Sequence, residues 1–261
     1  HNIDPILLSI GPFQIAYYGL FYVLGFIICY FFVRHLAKRK ELPLTKEDID
    51  DLLLYMIIGI ILCARLAYVL IYNLPYYMQN PLEIPAIWHG GLSFHGGLIG
   101  AILTCFYFTR KKKLHFYDLA DLMVVPLGLA LALGRIGNFI NGELPGRITN
   151  LPWAVKFPNA EGFRHPSQIY ASFKDLLIFS TLWHLVKKQF PKGFIFWTFI
   201  TLYSILRFSV EFLRQPDEQI GFLFGILSMG QVLSIITFLI GSFFLLSMMR
   251  KHKMLLFSRK E

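Results

Sequence analysis

The residues most suited to binding or catalysis lie at the end of one long apolar run, where charged and amide side chains occur close together. Residues 134–143 read Gly-Arg-Ile-Gly-Asn-Phe-Ile-Asn-Gly-Glu, so Arg135 and Asn138 are three apart and Glu143 follows the run. A charge within the hydrocarbon of a bilayer costs about 2.5–3.5 kcal/mol, so it usually faces a partner, a cavity or a substrate. Arg135 and Asn138 share a helix face. The pattern predicts either an interhelical ion pair or a site for an anion.

A second charged group lies in a later apolar run, where Arg207 and Glu211 are four residues apart and Arg214 follows. A local ion pair between Arg207 and Glu211 would partly neutralise both charges and is a competing explanation. That pair does not explain why Arg135 lies at a similar depth in a different run. Two arginines near one end of two helices suit a phosphodiester, which a guanidinium grips with two hydrogen bonds.

A histidine begins a third apolar run, in the sequence Ser-Phe-His-Gly-Gly-Leu-Ile-Gly of residues 93–100. Gly96 and Gly100 form a GxxxG pattern, which is typical of close helix packing. His95 is either a buried hydrogen-bonding group or an acid/base group, and spacing leaves both open. If it is a base, Gly96 and Gly97 are expected to leave space for a lipid or peptide beside it.

Several other polar residues are weaker candidates. Tyr18 is read as an interfacial aromatic, while Arg65 and the Lys174–Asp175 pair are interpreted as structural. The chain has no zinc-ligand spacing, no Walker loop and no GxSxG nucleophile, so neither a metal site nor rhomboid-like serine proteolysis is indicated.

The elements that position these residues follow from composition. At 261 residues, 56% hydrophobic and mean hydropathy +0.55, the chain is too apolar for a soluble domain. The net charge of +9 lies in short clusters between apolar runs, which argues against a nucleic-acid partner. Cys29, Cys63 and Cys105 all fall within apolar runs, so no disulfide framework is indicated. No basic region precedes the first run, and we therefore expect no cleavable signal peptide.

A bilayer core of about 30 Å needs roughly 20 apolar residues per helix. The predicted fold is all-α, a polytopic bundle of seven transmembrane helices in one integral-membrane domain, residues 1–261. Continuous rather than alternating apolar runs exclude a closed barrel. The predicted spans are Ile15–Val33, Leu52–Ile71, Leu92–Phe108, Leu119–Ile140, Ile169–Val186, Phe194–Leu213 and Leu223–Met249.

Basic residues predict the orientation, because cytoplasmic loops carry an excess of lysine and arginine. Four alternate segments hold 17 of the 25 basic residues, and the opposite segments hold four: Arg147, Lys156, Arg164 and Arg214. The N-terminus is therefore predicted outside and the C-terminus in the cytoplasm. The four segments rich in basic residues contain Arg34, Lys38, Arg39, Lys40 and Lys46; Arg110–Lys113; Lys187, Lys188 and Lys192; and Arg250, Lys251, Lys253, Arg259 and Lys260.

Two connections on the outer side are unusually structured. Asn141–Gln168 contains four prolines and is predicted to form a small external head, since long connections usually carry function. Tyr72–Gly91 contains Trp88 and several tyrosines, which predicts an arm at the headgroup level of the membrane.

Taken together, the motifs resemble the prolipoprotein diacylglyceryl transferase family, which begins bacterial lipoprotein lipidation. The resemblance covers essentially the whole chain and is carried by Ser93–Gly100, Gly134–Glu143, Arg164–Tyr170, Arg207–Asp217 and Ser228–Gln231. It implies transfer of the diacylglyceryl group of phosphatidylglycerol to the lipobox cysteine thiol of a preprolipoprotein, with glycerol phosphate leaving. It also implies a protein of the bacterial inner membrane, with membrane lipids as partners and with its active site toward the outer side. No cofactor is implied.

The resemblance also implies roles for individual residues, matched motif by motif. Ala171 departs from the family, which usually has glutamate there, so any role of that carboxylate is absent or relocated. Catalytic roles are implied for His95, Arg135 and Arg207. Substrate-binding or supporting roles are implied for Tyr18, Arg135, Asn138, Glu143, Gly146, Arg207, Glu211 and Arg214.

The implied chemistry agrees with these residue types. A thiol that displaces phosphate from an sp³ carbon builds negative charge on the leaving oxygen, which Arg135 and Arg207 are suited to stabilise. A thiol of pKa about 8.5 needs a base, for which His95 is preferred and Glu143 or Glu211 are the rivals. The alternative is a small transporter or lipid flippase. The polar groups gather at the outward ends instead of tracing a path across, and no inverted repeat is evident.

Overall fold

The computed structural model of the chain describes residues 1, 3–11, 13–215, 222–223 and 226–258. Asp217 of the quoted motif, and Arg259 and Lys260 of the last basic segment, lie outside the described residues. The chain divides into two compact units, one formed by residues 1–33 with 121–261 and the other by residues 34–120. The single domain over residues 1–261 stays a prediction.

The described residues are mostly helical, and a long helix occupies each of the seven predicted positions. These helices, with the short α3, are α1 Tyr17–Arg39, α2 Lys46–Ala67, α3 Leu74–Gln79, α4 Phe94–Lys111, α5 Phe116–Ile140, α6 Ser167–Leu185, α7 Phe194–Glu211 and α8 Met229–Ser258.

Within the described part of the chain, five helices are long and apolar enough to cross a membrane. They cover Tyr17–Arg39, Lys46–Tyr72, Phe116–Ile140, Phe194–Glu211 and Met229–Arg250. Helices α4 and α6 are not among them, since α4 has a histidine and two glycines in its first turn and Arg110 and Lys111 in its last, and α6 carries a lysine and an aspartate. A polytopic membrane protein is consistent with these helices, whereas the full count of seven spans stays a prediction.

Short strands depart from the all-α expectation, which is wrong in this detail. Three two-stranded antiparallel hairpins form: β1 Ile6–Ile10 with β2 Phe13–Ala16, β3 Val155–Lys156 with β4 Phe163–Arg164, and β5 Phe222–Leu223 with β6 Leu227–Ser228. The first is rich in isoleucine, leucine and phenylalanine, which favour strands. Gly11 follows β1 at a φ of 59°, a backbone conformation that glycine adopts without strain.

In the unit of residues 34–120, α2 and α4 pack closely through glycines. A Cβ on Gly96 would lie 2.5 Å from the Cys63 carbonyl oxygen, and one on Gly100 would lie 2.3 Å from the Gly59 carbonyl oxygen. The GxxxG packing prediction is therefore confirmed. The expectation of space for a lipid beside Gly96 is wrong, because the backbone of α2 fills that position.

In the other unit, short side chains bring α5 and α6 together. The Ser172 hydroxyl of α6 donates to the Ala132 carbonyl of α5 over 3.1 Å, and Gly128 of α5 faces the Asp175 carbonyl. On α6, the Lys174 ammonium is ion-paired with the buried Asp175 carboxylate. It also lies 4.1 Å from the Tyr203 ring of α7. The structural interpretation of the Lys174–Asp175 pair is confirmed, and the pair joins α6 to α7.

Candidate functional site

The first cluster of polar side chains lies at the end of α5. The Arg135 Nη1 donates to the Asn138 Oδ1 over 3.4 Å, and the Asn138 Nδ2 donates to the Glu143 Oε2 over 3.0 Å. Asn138 is buried, whereas Glu143 is exposed. Asn138 therefore separates the arginine from the carboxylate. Among the described residues, no carboxylate lies within ion-pair distance of Arg135.

Glu143 is fixed by amides rather than by cations. The Asn141 Nδ2 donates to its other carboxylate oxygen over 3.1 Å, and the Gln168 Nε2 donates to its backbone carbonyl over 2.5 Å. The Tyr18 side chain of α1 lies beside this cluster, and its hydroxyl shares a 3.0 Å hydrogen bond with the Tyr22 hydroxyl of the same helix. Its ring lies against Gly137, whose Cβ would approach the Tyr18 ring to 3.0 Å. The role of Tyr18 in binding substrate stays a prediction.

The second cluster surrounds Glu211 near the end of α7. Its Oε2 lies 2.6 Å from the Arg207 Nη2, and its Oε1 lies 3.4 Å from the Arg214 Nη1. The Ser228 hydroxyl donates to the same Oε1 over 3.1 Å. The Glu211 side chain is only 3% exposed, so this carboxylate is a buried counter-ion shared by two arginines. The competing explanation of a local Arg207–Glu211 ion pair is confirmed.

Arg135 and Arg207 both lie within the range of electrostatic interaction with one buried carboxyl group. Both guanidinium charges act on the buried Asp175 carboxyl of α6. Arg207 is also close enough to Arg135 and Arg214 for their like charges to repel its own. The carboxylates near these cations are Glu211, held by Arg207 and Arg214, and Asp175, held by Lys174, together with Glu143, which Asn138 separates from Arg135. Four cations thus exceed three carboxylates, and an excess of positive charge favours an added anion.

Gly146 has a packing reason for being glycine. It is buried, and a Cβ there would lie 2.5 Å from the His165 carbonyl oxygen and 2.7 Å from the Leu213 carbonyl oxygen. Its backbone forms an isolated antiparallel bridge with Arg214. Arg164 donates to the Gly146 carbonyl over 3.2 Å. Gly146 therefore joins the predicted head segment to the second arginine cluster.

Sequence reasoning assigned no role to three residues that hold Glu211 in place. Ser228 donates to Glu211, and the Gln231 Oε1 accepts from the Ser228 backbone over 3.0 Å. Gly230 lies so close that a Cβ would be 2.9 Å from the Glu211 carboxylate carbon. The run Ser228–Gln231 was the available signal, since it occurs among the motifs that carry the resemblance.

His95 belongs to the unit of residues 34–120, whereas the arginines belong to the other unit. It lies at the start of α4, two residues after Ser93, whose hydroxyl accepts from the Gly96 backbone over 3.3 Å. The imidazole is exposed and its ring contacts the neighbouring Phe94 at 5.7 Å between centroids. An exposed imidazole is accessible to a reactant, so the reading of His95 as a buried group is wrong.

Comparisons with known proteins agree with the motifs. The family described as "Prolipoprotein diacylglyceryl transferase" matches residues 5–247. A protein named phosphatidylglycerol–prolipoprotein diacylglyceryl transferase in Geobacter sulfurreducens is 48% identical over 242 residues, which cover 92% of this chain and 93% of that protein. Proteins with the same name in Bordetella avium and Rickettsia canadensis are 46% and 41% identical, over 91% and 92% of this chain and 92% and 95% of their own lengths.

Proposed function

Because the chain belongs to the prolipoprotein diacylglyceryl transferase family, we propose that it transfers the diacylglyceryl group of phosphatidylglycerol to a preprolipoprotein. The acceptor is the cysteine thiol of the lipobox in the signal peptide. The observation that carries this proposal is the pair Arg135 and Arg207, two guanidinium groups in the same unit, of which Arg135 has no carboxylate within ion-pair distance among the described residues. Such a pair suits a lipid phosphate.

The reaction is a displacement at an sp³ carbon of the glycerol that carries the two acyl chains. The thiolate sulfur forms a bond to that carbon while the bond from carbon to the phosphate oxygen breaks. Glycerol phosphate leaves with the electron pair, and the thiol proton passes to a base. Arg135 and Arg207 stabilise the charge that develops on the leaving phosphate, in a site of low dielectric where donors have most effect.

The remaining residues of the two clusters position these arginines. Glu211 holds Arg207 and Arg214, and its oxygens are already engaged by both guanidinium groups and Ser228. We therefore assign Glu211 to positioning and leave Glu143, whose carboxylate is exposed, as the rival base to His95. Asn138 holds Glu143 near Arg135, and we assign Tyr18 and Asn138 to binding of the lipid headgroup.

His95 is the proposed base, because a neutral imidazole offers one ring nitrogen that can accept a proton. We expect His95→Gln to preserve folding and phosphatidylglycerol binding and to lower the rate of thioether formation by about 10²-fold or more. Raising the pH is expected to restore part of the rate, because more of the acceptor thiol ionises unaided. The rates are measured with purified enzyme across a pH series.

Loss of lipid binding, with no recovery at any pH, would instead make His95 a structural or headgroup-binding residue. Glu143→Gln is the matched variant, since it removes the rival base from the other unit. If that variant alone shows recovery at high pH, the base is Glu143.

One turnover assay tests the proposed function. Purified protein is mixed with phosphatidylglycerol and a lipobox peptide, and the products are separated by mass. We expect a diacylglyceryl-peptide with a thioether bond, together with an equal amount of glycerol phosphate. A peptide that lacks the cysteine is the control. Lipid movement between leaflets without any peptide product would favour the transporter or flippase alternative.

We further propose seven spans in the bacterial inner membrane, with the N-terminus outside, the C-terminus cytoplasmic and the active site on the outer side. The distribution of basic residues supports this orientation. It places Asn141–Gln168, which contains the β3–β4 hairpin, outside as a small head. The arginine clusters then lie at the outer ends of α5 and α7, where a secreted signal peptide and outer-leaflet lipid are both present.

The orientation predicts which single cysteines a membrane-impermeant reagent labels in intact cells. A cysteine at position 112, between α4 and α5, is expected to stay unlabelled until the membrane is opened, because it lies on the cytoplasmic side. A cysteine at position 159, in the head, is expected to react at once. The native Cys29, Cys63 and Cys105 are first replaced by serine. Labelling of position 112 in intact cells contradicts the orientation.

A further inference from the structure

The Arg65 guanidinium, at the end of α2, binds only backbone carbonyls in the hydrogen bonds of the described residues. Its Nε donates to the Ile84 carbonyl over 2.8 Å, and its Nη1 donates to the carbonyls of Gly90 and Gly91 over 2.5 and 3.0 Å. Its Nη2 donates to the carbonyls of Glu83 and Ala86 over 2.6 and 3.2 Å. One side chain thus holds both ends of residues 83–91, which we call the clamped loop.

This guanidinium is fully engaged within the protein. Arg65 is only 4% exposed, and it lies over the Tyr77 ring at 5.1 Å from the centroid. No carboxylate of the described residues lies within ion-pair distance of it. Its charge is therefore balanced by carbonyl dipoles and an aromatic face. A substrate anion would have to displace these bonds, so Arg65 does not serve as a third phosphate-binding arginine.

The same turn of α2 fixes the start of α4. The Ser93 backbone N–H donates to the Ala64 carbonyl over 3.0 Å, next to Arg65 in sequence. The Gly91 backbone has a φ of 77°, and a Cβ there would lie 2.8 Å from the Arg65 Nη1. Gly96, one turn further, packs on Ala64 and Cys63. The position of His95 is thus set from both sides by contacts with residues 63–65.

Large apolar side chains at the clamped loop and next to it are exposed. Leu82, just before it, is 90% exposed and Trp88 within it is 75% exposed, although both are large apolar side chains. Tryptophan favours the interface of a bilayer. A second contact within the loop joins the His89 Nδ1 and the Glu83 Oε2, which are 2.7 Å apart. This pair is exposed and contributes little, so Arg65 carries the constraint.

We propose that Arg65 is a positioning residue, which holds the clamped loop against α2 and thereby sets the place of His95 for the transfer reaction. The part of this inference that concerns His95 rests on the proposed function. The part that concerns the loop does not, since the loop is observable without turnover. Lysine cannot replace Arg65, because an ammonium has three donors at one point and cannot reach carbonyls on both sides.

Hydrogen exchange followed by mass spectrometry tests the loop directly in the full-length protein. We expect Arg65→Lys to speed exchange of the backbone amides of Ile87, His89 and Gly90 at least tenfold, since these amides bond within the loop. Arg110→Lys is the control, because Arg110 is exposed and its described contact is the Phe106 ring of its own helix. Exchange equal to that of the wild type in Arg65→Lys would overturn the proposal.

A second pair of variants covers the case in which Arg65→Lys does not fold. Gly91→Ala places a Cβ 2.5 Å from the Tyr68 ring and 2.8 Å from the Arg65 Nη1, whereas Gly90→Ala at a φ of 82° meets no atom within 4 Å. Both carry positive-φ strain, so their difference reports the crowding of Arg65 and Tyr68 where the loop meets α2. We expect exchange in the loop to rise at least fivefold more in Gly91→Ala than in Gly90→Ala. Equal rises would overturn the proposal.

A double-mutant cycle separates positioning from general structural support. On equal amounts of folded enzyme, Arg65→Lys is expected to lower turnover about tenfold in the wild type and less than twofold in a His95→Gln background. A merely structural residue would lower turnover equally in both backgrounds, which would overturn the positioning role. If no variant, including the wild type, transfers lipid, the proposed function fails while the exchange results still decide the clamp.

Discussion

Replacing Arg135 by lysine is expected to lower the specificity constant for diacylglyceryl transfer by roughly 10²–10³-fold, the effect of removing one preorganised donor from a developing anion. Charge is kept in this variant, so the loss isolates the shape of the guanidinium. Arg135 donates to Asn138 over 3.4 Å, which leaves its other donors for a ligand. An ammonium cannot make the same two-pronged contact with a phosphate. The rates are measured with purified enzyme, phosphatidylglycerol and lipobox peptide.

The matched control for this variant is Arg110→Lys, which makes the same chemical change at an exposed position in the other unit. We expect it to retain the wild-type rate. A rate for Arg135→Lys within threefold of the wild type would show that Arg135 acts as a point charge or not at all.

The second large effect is expected from Glu211→Gln, which removes a charge shared by Arg207 and Arg214. Its side chain is 3% exposed, and those of the two arginines are 17% and 15% exposed. Breaking a buried ion pair from one side costs about 3–5 kcal/mol, because the remaining charge has no compensation. The variant is therefore expected to unfold at a lower temperature and to lose most activity. The unfolding midpoint in detergent measures the first effect and the transfer assay the second.

Glu83→Gln is the control for this prediction, because it changes a carboxylate in contact with His89 where the two side chains are 38% and 59% exposed. Exposed pairs contribute little to stability. If both variants shift the unfolding midpoint by the same small amount, the Glu211 cluster does not hold the arginines.

Much of the helical architecture was predictable, because an apolar run of about 20 residues permits few other structures. The ends of the helices were less predictable. Helix α2 begins at Lys46, six residues before the predicted span, because Thr45 and Asp48 form a capping box in a polar turn. Hydropathy alone does not predict a polar first turn of a helix. The short hairpins were missed for a related reason, since their strands are only two to five residues long.

In the candidate site, contacts between residues close in sequence were also more predictable than contacts between distant segments. The Arg207–Glu211 pair and the Gly96–Gly100 packing follow from helical spacing, and both were predicted. Gly146 beside Leu213, and Ser228 on Glu211, join segments far apart in the chain. No periodicity encodes such contacts, so only the family motifs could indicate that these residues matter. The same limit applies to Arg65, whose partners are backbone carbonyls that any sequence provides.

We propose that Arg135 and Arg207 hold the phosphate of one phosphatidylglycerol molecule. Equilibrium binding of phosphatidylglycerol, compared with uncharged diacylglycerol of the same acyl chains, tests it most directly in Arg135→Gln, Arg207→Gln and the double variant. We expect each single variant to lose at least tenfold of the preference for the phosphate-bearing lipid. The double variant is expected to lose little more, since one phosphate is shared. Wild-type preference in both single variants would contradict the claim.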